Sequence, residues 1–148
     1  MTNQDFSVTF SVDQTPEAAF AAIQNVRGWW SETVEGGTER LGDTFIYRHG
    51  DLHASTQQLV EVMPGKKVVW LVTDAALNFT KDKAEWKGTR PTFEVSQSAG
   101  KTQVRFTHVG LVRPFECYDA CSKAWTFYVK ESLRGLITTG KGQPDRKA

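Results

Sequence analysis

The chain has 148 residues, 39% of them hydrophobic and 24% charged, with a formal net charge of +1. That length supports one domain with one hydrophobic core, and the near-neutral charge excludes a global field that would draw in nucleic acid or an anionic membrane. No apolar run approaches the roughly 20 residues of a membrane span, and Met1-Thr2-Asn3-Gln4-Asp5 lacks the features of a signal peptide, so one cytoplasmic domain over residues 1–148 is expected, with 141–148 a flexible tail.

Phe6, Val8, Phe10 and Val12 alternate with Ser7, Thr9 and Ser11, which predicts a strand with one buried face. Thr15-Pro16-Glu17 opens a helix, with Thr15 as N-cap, Pro16 in the first turn, Phe20 and Ile23 on the apolar stripe and an end near Asn25. Val26 to Trp30 predicts a short second helix or turn, and Gly36-Gly37 a break.

A β signal follows. Thr44 to His49 forms a short strand with Phe45 and Tyr47 on one face, and Gly50-Asp51 suits a turn. His53 to Met63 is a longer strand closed by Pro64-Gly65. Lys67 to Thr73 is apolar on both faces, the pattern of a strand with little solvent on either side. Asp74 to Lys87 fits neither period and reads as an irregular excursion. Thr89 to Ser96 and Thr102 to Val109 pair about the turn Ser98-Ala99-Gly100-Lys101.

The stretch from Phe115 to Gly140 changes period. Tyr118, Cys121, Trp125, Tyr128, Val129, Ser132, Leu133 and Leu136 recur at steps of three and four, one face of an α-helix roughly 35 Å long. Pro114 before it and Gly140 after it are the expected punctuation. Such a helix needs a large sheet to bury its aromatics. Strands in a run with one terminal helix predict an α+β fold, its antiparallel sheet curling around the helix.

Several of these segments together carry a family resemblance. They are Phe10-Ser11-Val12-Asp13-Gln14-Thr15-Pro16-Glu17-Ala18-Ala19-Phe20, then Gly28-Trp29-Trp30, Trp86-Lys87-Gly88-Thr89, Phe93-Glu94-Val95, and the terminal helix with Trp125 and Ser132-Leu133. In this order and spacing the chain resembles the START-like, birch-pollen-allergen-like (SRPBCC, helix-grip) superfamily. Within it the chain is most similar to the subfamily named for the C-terminal domain of the heat-shock-protein-90 ATPase activator. The resemblance implies a seven-stranded antiparallel sheet gripping a long C-terminal helix, with a cavity between them. It leaves function open, since the superfamily holds lipid and hormone carriers, cyclases and chaperone regulators.

The tryptophans Trp29, Trp30, Trp70, Trp86 and Trp125 suit either a large-residue core or a pocket for a flat apolar ligand. Two adjacent tryptophans do not readily both point inward, so one of Trp29 and Trp30 is expected to plug the core and the other to form the cavity mouth. His49 and His53 flank a turn and are not forced to converge with His108, so no metal site is expected. Cys117 and Cys121, one helical turn apart, read as reduced thiols. Glu61 or Arg105 would mark a binding site only if it faced inward. The candidate cavity residues are Trp30, Trp70, Phe93, His108, Tyr118, Cys121, Trp125 and Tyr128. With no phosphate loop, nucleophile elbow or dinucleotide fingerprint, the leading expectation is non-enzymatic binding of a small hydrophobic or aromatic molecule. No catalytic residue or cofactor is assigned, and the protein is a monomer or homodimer. The alternatives are a chaperone-activating interaction module, with a chaperone as partner, and a cyclase- or hydrolase-like enzyme using His108 or a cavity carboxylate.

Overall fold

A computed structural model describes residues 5–49, 53–77, 86–112, 115 and 118–144. Its strands are β1 Phe6–Val12, β2 Glu35–Gly36, β3 Thr44–His49, β4 His53–Met63, β5 Lys67–Leu77, β6 Arg90–Ser98 and β7 Lys101–Val109. They form one seven-stranded sheet in the order β1-β7-β6-β5-β4-β3-β2, every neighbouring pair antiparallel. Two short helices, α1 Pro16–Gln24 and α2 Val26–Trp29, follow β1. The long helix runs from Tyr118 to Thr139. This is the expected α+β, helix-grip architecture.

Local chemistry explains most boundaries. Thr15 Oγ1 accepts the Ala18 N–H at 3.1 Å and satisfies one of the orphan donors at the start of α1. Gly140, at φ 82°, ends the long helix in the left-handed region that a side chain disfavours, and its N–H bonds the Leu136 carbonyl. The expected punctuation by Pro114 and the turn at Gly50-Asp51 lie outside the described residues, as do Cys117 and residues 145–148.

Three differences from the sequence pattern have physical causes. First, β5 continues to Leu77 where an excursion was expected from Asp74. The register with β4 shifts between Thr56 and Gln57, and beyond that bulge Ala75 and Leu77 are buried while Asp74 and Ala76 are exposed. Alternation carried by alanines is hard to see in a hydropathy pattern. Residues 78–85 of that expected excursion lie outside the described residues. Second, a two-residue strand lies at the expected Gly36-Gly37 break. Gly36 has φ 111°, and a Cβ there would stand 2.2 Å from the Thr44 carbonyl oxygen, so only glycine lets this edge pair with β3.

Third, the long helix is not α-helical throughout. It is α in α3 Tyr118–Trp125 and α4 Arg134–Thr139, with a π-helical segment over Thr126–Leu133 between them. The buried stripe is Cys121, Trp125, Val129, Leu133 and Ile137, a strict step of four, and Leu136 is only partly buried. In an α-helix of 3.6 residues per turn such a stripe would drift by about 40° per step. The wider i→i+5 turn of π-helix offsets that drift and keeps the stripe on the sheet.

Ser132, inside the π-helical segment, fastens three pieces together. Its buried hydroxyl donates to the Trp29 carbonyl at 2.7 Å and accepts the Gln143 N–H at 2.6 Å. Gly142 passes close enough to α2 that a Cβ there would meet the Gly28 carbonyl oxygen. Ser132→Ala leaves the Trp29 carbonyl and the Gln143 N–H without this partner. The expected loss is about 2 kcal/mol of unfolding free energy, read by urea denaturation, with Gln143 losing amide protection before the sheet does.

Candidate functional site

The concave face of the sheet is aromatic. Alternation on β3, β5, β6 and β7 turns Phe45, Tyr47, Trp70, Phe93 and Phe106 inward, all buried. α2 and the long helix add Trp29, Trp30 and Trp125 from the other side. Trp30 stacks on Tyr47 at 4.1 Å and on Trp70 at 5.6 Å, and tilts against Trp125 at 4.9 Å. Trp70 meets Phe45 and Phe93, each at 4.9 Å.

Both adjacent tryptophans are interior, Trp29 at 0% and Trp30 at 2% exposure, so neither is the open mouth expected of one of them. Neighbouring positions on a helix are only about 100° apart, and α2 is a single turn with sheet and helix on its apolar side. Trp70 accommodates the pair by stacking with each, at interplanar angles of 15° and 7°. The Trp29 indole N–H is satisfied by the Ile23 carbonyl at 3.1 Å.

A directed hydrogen-bond chain crosses this core. The Trp125 indole N–H lies 3.0 Å from His108 Nδ1. An indole only donates, so Nδ1 carries the lone pair and the ring proton sits on Nε2. Nε2 is 2.8 Å from Thr89 Oγ1, whose own proton goes to the Trp86 carbonyl. Burial, with a smaller contribution from the nearby His53 charge, depresses the His108 pKa to about 3. His108 is therefore neutral and both ring nitrogens are engaged. It positions Trp125 and the Trp86–Thr89 turn and has no spare lone pair for general-base chemistry.

A second polar group lines β4. His53, Ser55 and Gln57 share its inner face: His53 Nε2 is 3.1 Å from Ser55 Oγ, and Gln57 Nε2 donates to the same oxygen at 2.7 Å. The Trp86 ring meets the His53 ring edge-to-face at 4.4 Å and stacks parallel to Trp125 at 5.8 Å. Gln57 Oε1 and Trp86 Nε1 are both buried and have no hydrogen-bond partner.

The structure thus brings together five of the expected residues: Trp30, Trp70, Phe93, His108 and Trp125. Cys121 is buried on the same helical stripe, one turn before Trp125. Tyr118 and Tyr128 are half-buried; Tyr118 meets the Phe6 ring at 6.4 Å and Tyr128 the Phe127 ring at 5.4 Å. Sequence reasoning missed His53, Gln57, Trp86 and Thr89 as members of one assembly. The signal available was the alternation of His53, Ser55, Gln57 and Leu59, which puts three polar residues on the face of an apolar one. Glu61 and Arg105 do not face inward: Glu61 sits 3.7 Å from Lys67 and is partly exposed, and Arg105 is exposed and registers with Glu94. A groove of about 280 Å³ also lies on the outer face of β3–β5, between Ile46, Arg48, Ala54, Thr56, Asp74 and Ala76. Its walls are small and lack aromatic rings, so the interior is the better candidate. Among the described residues no helix is long and apolar enough to cross a membrane, and no group of three His, Cys, Asp or Glu side chains could hold a metal.

A seven-stranded antiparallel sheet closed on a C-terminal helix, with two short helices after the first strand, defines the helix-grip class, and the expected resemblance holds at the level of fold. No protein-family model matches the chain, and no curated protein matches it. Solved structures do match. The Aha1 dimer from Colwellia psychrerythraea superposes with a TM-score of 0.73 at 22% identity, over 96% of this chain and 100% of that one. DynU16, a protein of the dynemicin biosynthetic locus, gives 0.71 at 15% identity over 99% of this chain, which spans only 52% of DynU16. CalU16 from Micromonospora echinospora gives 0.63 at 11% identity, over 90% of this chain and 74% of that one. At these identities the likeness is one of fold.

Proposed function

We propose that the protein binds a small hydrophobic or aromatic molecule between the long helix and the sheet, without chemical transformation. The observation that carries this reading is a continuous run of ring contacts. It passes from half-buried His53 through Tyr47 and Trp86 to the interior rings of Trp30, Trp70 and Trp125. A flat apolar ligand gains most from stacking on such a surface, and the engaged nitrogens of His108 argue against acid–base catalysis there. Binding should quench tryptophan emission saturably and raise the thermal midpoint, because a ligand held only by the folded state stabilises it by mass action. A panel of flat aromatics, a fatty alcohol and an apolar dye tests this. No saturable quenching and no midpoint shift across the panel sinks the reading.

A second reading, a chaperone-activating module acting as monomer or homodimer, is favoured by the fold likeness to the Aha1 dimer. Its measurement is the ATPase rate of a heat-shock-protein-90 homologue with and without the full chain. An unchanged rate at saturating protein removes it.

A further inference from the structure

We infer that the interior selects an uncharged, hydroxylated aromatic molecule, with Trp86 and Gln57 reading its hydroxyl groups; this rests on the interior-binding reading above. Three observations converge. Trp86, 3% exposed, has an indole N–H with no acceptor, and Gln57, 0% exposed, has an amide oxygen with no donor. Buried polar atoms are nearly always paired, and leaving one unpaired is costly. Two in one linked patch, joined through His53 and Ser55, are therefore the mark of a partner that supplies the missing bonds.

The chemistry of the partner follows from what the two atoms require. An indole N–H only donates, so it needs an acceptor. Gln57 already gives its Nε2 to Ser55, so its oxygen needs a donor. Were the amide turned over, with the oxygen accepting from Ser55, its NH2 would need an acceptor instead. A hydroxyl meets each of these demands, because it donates one bond and accepts two. With the Gln57 Nε2 on Ser55, a carbonyl satisfies the indole alone.

Charge is excluded by the surroundings. Among the described residues the buried polar side chains are Ser, Thr, Gln and neutral His108; no Lys, Arg, Asp or Glu is among them. An ammonium ligand would be desolvated there with no counter-charge, and a carboxylate would have only half-buried His53, at the edge of the patch, to face. The aromatic part is set by the flat faces of Trp86 and Trp125, stacked 12° apart, and by the edge-on His53 ring. Half-buried His53 is where this patch reaches toward solvent.

Three probes of one size and three characters decide the matter: naphthalene, 2-naphthol and 2-naphthoate, titrated calorimetrically into the full chain at pH 7.5. The expected result is about tenfold tighter binding of 2-naphthol than of either other probe, the worth of one well-placed hydrogen bond to a buried group. Trp86→Phe and Gln57→Met should each remove most of that advantage, and a far-UV circular-dichroism spectrum and cooperative melt like the parent's report that each variant is folded. Equal binding of naphthalene and 2-naphthol overturns the hydroxyl reading and leaves interior binding standing. Tighter binding of 2-naphthoate, or an advantage for 2-naphthol that survives in both variants, also overturns it. No binding of any probe removes interior binding, and this inference falls with it.

Discussion

Trp30→Ala lowers the unfolding free energy by about 4 kcal/mol, the middle of the range for deleting a buried aromatic. Trp30 is the hub of the interior. It touches the rings of Trp29, Phe45, Tyr47, Trp70 and Trp125, and those contacts reach β3, β5 and the long helix from one side chain. Its neighbours are themselves large and locked together, so the space left behind collapses poorly. Trp30→Phe restores part of the stacking surface and should recover roughly half of the loss. Guanidinium melts of the three proteins measure this. A loss under about 1 kcal/mol for the alanine variant would mean that Tyr47 and Trp70 close over the gap, and that the interior is far more plastic than its packing implies. A restored melting midpoint on adding naphthalene to Trp30→Ala would show the space to be accessible from solution.

The second large effect is on acid stability, and its sign follows from His108. In the unfolded chain a histidine titrates near 6.5; in the folded protein burial holds His108 neutral down to about 3. Above 6.5 neither state binds the proton and His108 has no influence. Below 6.5 the unfolded state takes up a proton that the folded state refuses, so stability falls as pH falls, and the loss is complete only near 3. At pH 5 the contribution is about 2 kcal/mol, from 1.36 kcal/mol per unit of pKa difference. Protonation would also remove the Nδ1 lone pair that holds the Trp125 N–H, so the acid-weakened region is the helix against β7.

His108→Gln tests this directly. A glutamine amide presents one acceptor and one donor group, as the neutral imidazole does, and it does not titrate. The variant should lie within about 1 kcal/mol of the parent at pH 7.5 and exceed it at pH 5, so that the two stability curves cross. The difference between the curves isolates His108 from the other titrating groups. Parallel curves would place the acid sensitivity elsewhere. His108→Leu, which leaves the Trp125 N–H and the Thr89 hydroxyl short of a partner, should flatten the acid limb in the same way but start lower at pH 7.5.

What could be read from the chain alone is visible in particular residues. Phe6, Val8, Phe10 and Val12 alternate strictly, and the strand they predict is the edge strand β1. Thr15-Pro16-Glu17 announces α1 because capping and proline preference are decided within one turn. Trp70, Phe93, His108 and Trp125, four of the eight expected cavity residues, share one cluster because strand alternation and helical spacing each fix a facing. The reading failed where a facing depends on a partner. The end of β5 is set by a bulge against β4, and the four-residue stripe of the long helix by its π-helical segment. The inward turn of both Trp29 and Trp30 is set by the Trp70 face on which they stack.

The class of fold and the aromatic character of the interior follow from hydropathy period and composition, which are properties of consecutive residues. The matching of polar groups inside is a property of the folded arrangement. Trp125, His108 and Thr89 are joined across the long helix, β7 and the turn before β6 into one directed chain that occupies both His108 ring nitrogens, while burial keeps the ring neutral. Gln57 and Trp86, far apart in the chain, come into one linked patch and each keeps an unmatched atom there; Gln14 Oε1, outside that patch, is the third such atom among the described residues. Hydrogen bonding is short-ranged and directional, so it is settled by which atoms meet, and that is fixed only once the sheet has closed on the helix.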